Sequence, residues 1–304
     1  MDARRSTEVI AEGLFQGGRF EGDRRLVMGF RVSTNIASIN GQRNLSNSQM
    51  AIQDSYAKLS SGSRINKAAD DAAGLAISEQ FKADIRSARM ANRNASDGIS
   101  MVQTAEGGLN EISNIITRLR ELGVQASSDT VGDRERGMIN TEVQQMKDEM
   151  QRIAVTTKWG STNLLDGTSP NFDFQVGIHN NEAEDRITFH AGENSATIDA
   201  LGISGVDYSS KEGAQTALSQ LDEAHTRVNT ERANLGALQN RLNSTVQNLS
   251  IQEENMSASN SRIRDTDVAN ATAELTRNNV LLQAGTAALA QANQTSNLAL
   301  KLLG

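Results

Sequence analysis

Apolar residues recur at every seventh position from Leu221 to Ile263: Leu221, Val228, Leu235, Leu242, Leu249, Met256 and Ile263 form one unbroken ladder. A repeat of seven sets them on one stripe of a helix, because 3.5 residues per turn lies close to the helical 3.6. Leu218, Leu238 and Val246 widen that stripe at the intermediate spacings. The segment 212–264 has no proline, and as a helix it would run about 80 Å. A helix of that length cannot bury its stripe against itself, so the pattern predicts partner helices of matching length and period.

Two other stretches carry that period. Val102, Ala105, Leu109, Ile112, Ile116, Leu119, Gly123 and Ala126 alternate spacings of three and four, the signature of a seam, and predict a long helix over Phe81–Ser127. The polar run 127–137 contains two glycines and reads as a turn. Ile139, Val143, Met146, Met150 and Ile153 then predict a third helix. The seams 102–126 and 139–153 are the expected partners of the ladder in an antiparallel bundle.

The ends and the middle differ in kind. From Ser33 to Ser60 a weakly amphipathic helix is predicted, with Leu45, Ile52, Tyr56 and Leu59 on one side; such a helix is marginal alone. Gly62 and Gly74 break its period, so 60–81 reads as a connector. After Ile263 the phase slips, and Val268, Leu275, Leu282 and Leu289 begin a separate terminal ladder. Between the helices, Lys158–Leu201 holds the one proline, Pro170, and short alternating runs, Phe172–Phe174–Val176 and Ile187–Phe189. With Gly167, Gly177 and Asn180–Asn181 as punctuation, these predict one or two small β-hairpins bracing the helices. The fold class is therefore mainly α, an elongated antiparallel long-helix bundle or coiled coil with a small β-hairpin region in the middle. The divisions are 28–70, a terminal helix and the start of a connector; 71–157, long helices; 158–211, hairpins and loops; 212–266, the C-terminal long helix; and 267–304, a second terminal helix.

Residues 1–27 differ in character from the rest of the chain, with five arginines, five acids and no apolar core of the signal-peptide kind. The helical pattern starts after Met28, which is the expected natural start, with 1–27 an upstream, disordered extension. Composition supports a thin core: 37% hydrophobic and 3% aromatic residues over 304 positions is lean for a globular enzyme. A net charge of −7 with both signs interspersed argues against a nucleic-acid partner. No apolar run is long enough for a membrane span. Without cysteine, disulfides and thiolate chemistry are excluded. His179, His190 and His225 have no metal-ligand spacing, and Asp70–Asp71 and Glu253–Glu254 read as caps or solvated faces. No phosphate- or dinucleotide-binding loop is present, so no cofactor and no enzymatic activity is expected.

Several ordered blocks resemble bacterial flagellins: LSSGSRINKAADDAAGLAISEQF (59–81), NASDGISMVQTAEGGLNEI (94–112), TRLRELGVQAS (117–127), WGSTNLLDG (159–167), FQVG (174–177), LGALQNRLNSTVQNL (235–249), ENMSASNSRIRDTDVA (254–269) and NNVLLQAGTAALAQANQ (278–294). The resemblance runs from Met28 to Gly304 and begins where the helical pattern begins.

That resemblance implies a structural subunit that polymerises into the flagellar filament, secreted by the flagellar type III apparatus and located outside the cell. With only about fifty residues in the middle, it would be a core-only form without large outer domains. The alternative of the same architecture is a hook–filament junction protein. A protease inserted in the middle, as some flagellins carry, has no room and no HExxH. Implied partners are further copies of itself, the flagellar cap and hook-junction proteins, an export chaperone on the C-terminal helix with Leu275, Leu282 and Leu289, and host Toll-like receptor 5. The positions matching the receptor contacts are Arg118, Leu122 and Glu142.

Overall fold

The structure is a computed structural model that describes residues 34–301, with side chains to 294; the expected extension 1–27 and start at Met28 lie outside the described residues. In chain order the elements are α1 (Ile36–Ser61), α2 (Ala72–Ala126), α3 (Asp133–Thr156), β1 (Lys158–Trp159), β2 (Thr162–Asn163), β3 (Phe172–Gln175), α4 (Glu182–Asp185), β4 (Arg186–Phe189), α5 (Ile198–Leu201), α6 (Lys211–Arg264) and α7 (Val268–Lys301). The described residues form two compact units, 34–56 with 269–301, and 57–268.

Within 57–268, α2 and α6 lie antiparallel. The side-chain pairs Arg120–Asp222, Asn92–Ser250 and Arg89–Glu253 advance by equal steps along the two helices, so the register holds without a slip. α2 begins well before Phe81, where the glycine-broken period predicted a connector. Asp71 caps it, its Oδ1 accepting from the Gly74 amide at 2.8 Å. This satisfies one of the amides orphaned at a helix start. Gly74 thus belongs to the first turn, and Ile65 packs over it, 2.9 Å from where a Cβ would stand. Ser210 caps α6 in the same way, accepting from Gly213 at 3.1 Å.

A third layer covers the half of α2 that carries the 102–126 seam. α3 packs along α2, and Arg136 ties their turn by donating from Nε to Ala126 O at 2.8 Å and from Nη2 to Ser128 O at 3.0 Å. Hairpin β1–β2 pairs Trp159 with Thr162, and hairpin β3–β4 pairs Phe172 with Phe189 and Phe174 with Ile187. Alternation puts Val176, Ile187 and Phe189 inward, where they join the core with Leu164 and Leu165. Both hairpins need glycine on α2: a Cβ at Gly98 would stand 3.2 Å from the Phe174 ring, and one at Gly108 only 2.7 Å from Leu165 and Thr157. Mid-helix glycine costs roughly 0.5–1 kcal/mol against alanine, and the seated hairpins offset it.

Candidate assembly and recognition surfaces

The ladder on α6 is covered unevenly. Leu221, Val228, Leu235 and Leu242 are at most 1% exposed, and Leu249 is 6% exposed. Met256 and Ile263 are half-buried. The register explains the fade. Beyond the Asn94–Gln175 contact and the loop 177–180 that faces residues 86–91, the third layer runs out. Two helices alone leave the flanks of a stripe open. Opposite that end α2 contributes small side chains, Ala88, Ala91 and Ser78.

The three residues expected as receptor contacts, Arg118, Leu122 and Glu142, fall on both sides of the surface. Arg118 is exposed on α2, donating from Nη2 to Glu142 of α3 at 3.1 Å and from Nη1 to Glu121 at 3.0 Å. The Glu121 carboxylate, then that of Glu142, holds its guanidinium above the ordinary arginine value. Leu122 points inward and is 3% exposed. Arg118 and Glu142 therefore present one charged bridge across α2 and α3, while Leu122 belongs to the core beneath it.

In the other unit, α1 and α7 run antiparallel. Asn35 Nδ2 donates to Ala292 O at 3.0 Å. A Cβ at Gly41 would meet Leu289 at 3.3 Å, and one at Gly285 would meet Leu45 at 3.1 Å, so each helix seats a leucine over the other's glycine. Little is buried by this. Ile52 and Ser55 are the buried residues of α1, and Ala271 is the buried hydrophobic of α7 among the described residues. Leu275, Leu282 and Leu289 are half-buried. Ile36, Ile39, Met50 and Tyr56 on α1, and Val268, Val280 and Leu281 on α7, are all more than half exposed. Tyr56 was expected on the same side as Ile52, and it faces solvent instead.

Sequence reasoning missed one element, the strap 198–208. Gln151, Lys147 and Asn140, on one face of α3, hold its backbone in order. Gln151 Oε1 accepts from Ile198 N at 3.1 Å, Lys147 Nζ donates to Ser204 O at 2.8 Å and Val206 O at 3.2 Å, and Asn140 Oδ1 accepts from Tyr208 N at 3.1 Å. Tyr208 is fully buried and donates its hydroxyl to Leu119 O at 2.8 Å; burial pushes the phenol up to about 12. The available signal was a lysine between Val143 and Met150 at seam spacing, where a charge needs a partner.

Among the described residues, no cluster of three or more histidines and acids is placed to hold a metal ion, and no helix is long and apolar enough to cross a membrane.

Residues 32–170 match the bacterial flagellin N-terminal helical region, and residues 218–303 match the C-terminal helical region. A flagellin of Halalkalibacterium halodurans is 43% identical over 90% of this chain and 99% of its own length. The flagellar filament core protein flaB2 of Brachyspira hyodysenteriae is 41% identical over the same shares. A Vibrio parahaemolyticus structure assigned as a flagellar hook-associated protein superposes with a TM-score of 0.53 over 64% of this chain and all of its own. At 12% identity it shares the fold alone. α1, α2, α3, α7 and most of α6 thus lie within the two family matches, and this chain belongs to the bacterial flagellins.

Proposed function

We infer that this chain is the repeating structural subunit of the extracellular bacterial flagellar filament. The observation that carries this is the contrast in burial. From Leu221 to Leu242 the α2–α6 seam is sealed inside its own unit, whereas α1 and α7 leave Ile36, Ile39, Val280 and Leu281 more than half exposed. Apolar helix faces that cover so little of themselves need a partner, and a closed set of further copies supplies one. In this reading 28–70 and 267–304 are the inner terminal layer, 71–157 and 212–266 the rigid stave, and 158–211 its brace. The role is mechanical, and no catalytic step belongs to it. The junction-protein alternative has support only at the level of fold.

Finer roles follow from the same surfaces. Export by the type III apparatus suits a chain without covalent cross-links. The half-open ladder Leu275–Leu282–Leu289 suits the groove of an export chaperone, which helix-in-groove binding would read at these spacings. Cap and hook-junction proteins would meet the same terminal faces at the filament ends. The Arg118–Glu142 bridge is the surface offered to Toll-like receptor 5, with Leu122 supporting it from below; an unchanged reporter response to Arg118→Ala would remove that assignment.

The test is elongation of filament fragments by purified chain, followed by light scattering and electron microscopy, with limited proteolysis of both states. Residues 28–70 and 268–304 should be cut in the free chain and protected in the polymer. Equal protection in both states, or no elongation, overturns the reading.

A further inference from the structure

Within residues 57–268 the break after α1 and the break after α6 are sewn together. After α1 the chain turns at Gly62, φ 67°, a left-handed conformation suited to glycine; after α6 it opens at Asp265. Arg64 N donates to Arg264 O at 2.6 Å, Thr266 N donates to Gly62 O at 2.9 Å, and Ser63 lies opposite Asp265 in an antiparallel bridge. The Arg64 side chain adds a bond from Nη2 to Ile263 O at 2.8 Å.

These bonds fall where helices are least self-sufficient. The last carbonyls of a helix have no amide four residues on and must find another donor. Ile263 O and Arg264 O end α6, and Gly62 O lies just past the end of α1. Each set is therefore satisfied by the opposite connector, so losing order in one uncaps the other. Each connector is also stiffened from its own side. Asp70 Oδ2 accepts from Asn66 N at 3.0 Å and Lys67 N at 2.9 Å. Ser261 Oγ donates to Asp265 Oδ2 at 2.6 Å, and Arg264 pairs with Glu79 at 2.5 Å. Ile65, 2% exposed, anchors the first connector to the core.

We propose that this reciprocal capping is a clasp through which the two connectors hold or lose structure as one. Anything that captures, cuts or orders the chain after Thr266 is then felt at the connector beyond α1. This rests on the filament reading only for its consequence, which is that the two terminal segments order in a single step during assembly.

The test uses hydrogen exchange on the full soluble chain. Thr266→Pro removes the Thr266 amide donor, and Asp265, at φ −74° and ψ 143°, already has the backbone that a proline at the next position requires. Exchange at 62–66, a connector whose own sequence and amide donors the substitution leaves intact, should accelerate about tenfold or more, while α3 and the strap keep their protection. The coupling is reciprocal, so Arg64→Ala should accelerate exchange at 262–266; this second variant carries the test should Thr266→Pro lose its helical signal. Loosening confined to the mutated connector in both variants overturns the proposal. Because exchange is read on the unpolymerised chain, that result is distinct from failure of the wild-type chain to elongate filaments.

Discussion

α6 and α7 are written in the same code and end in different states. Both carry apolar residues seven apart. On α6 the residues Leu221, Val228, Leu235 and Leu242 are sealed from solvent, whereas on α7 the residues Leu275, Leu282 and Leu289 stay half-open. The difference lies in what stands opposite. α6 meets a helix of equal length in unslipped register, with α3, two hairpins and a strap closing around them. α7 meets α1 through leucine-over-glycine contacts, which bring backbones close but remove little apolar area from water. A heptad stripe states a need for cover; it does not state whether the chain itself supplies the cover.

The largest expected effect breaks this contrast directly. Leu242→Asp places a charge in a site with 0% exposure and should cost about 3–5 kcal/mol, enough to unfold residues 57–268 in a thermal melt followed by circular dichroism. Leu282→Asp, at an equivalent ladder position on α7, should move that melt by no more than about 0.5 kcal/mol yet abolish filament elongation. Equal melts for the two variants would show that burial in the single chain does not separate the two helices.

A smaller effect probes how the third layer closes. Lys147→Ala leaves Ser204 O and Val206 O without their donor and should cost about 1–3 kcal/mol in urea unfolding, with exchange rising at 198–208 first. An unaltered strap would mean that Tyr208 and its apolar neighbours hold it unaided.

The smallest effect is one of pH. The amides of Lys67, then Asn66, hold the Asp70 carboxyl below the usual range, and the Arg264 side chain does the same for Glu79. With the folded pKa depressed, their contribution is complete above the unfolded value and is lost as pH falls through the folded one. Below about pH 4 the connectors should therefore lose protection while the apolar seam keeps its own. Acid titration of backbone shifts by NMR measures this; simultaneous loss in both regions would contradict it.

Much of the architecture was legible because long helices repeat a simple period. The seams, the hairpin runs and the phase slip after Ile263 are all set by spacing, whereas the turn expected over 127–137 is shorter, because α3 already begins at Asp133 behind Gly132. The glycines misled at Gly74, where a conformational signal was outweighed by an Asp71 cap and a close contact from Ile65. The strap 198–208 was not legible, because its order comes from Asn140, Lys147 and Gln151, which are distant in sequence and polar in character. The charged bridge of Arg118 and Glu142 was likewise nameable only as separate positions until α3 folded back along α2.

By itself the sequence determined which residues share a stripe, since the helical period is a local property of the backbone. It also marked this chain as flagellin-like through blocks spread over its length. Only the tertiary structure decided which stripes are closed and which stay open, because cover depends on how many elements converge at one level. It also brought Gly62–Arg64 beside Arg264–Thr266, a meeting of two connectors that no local pattern encodes.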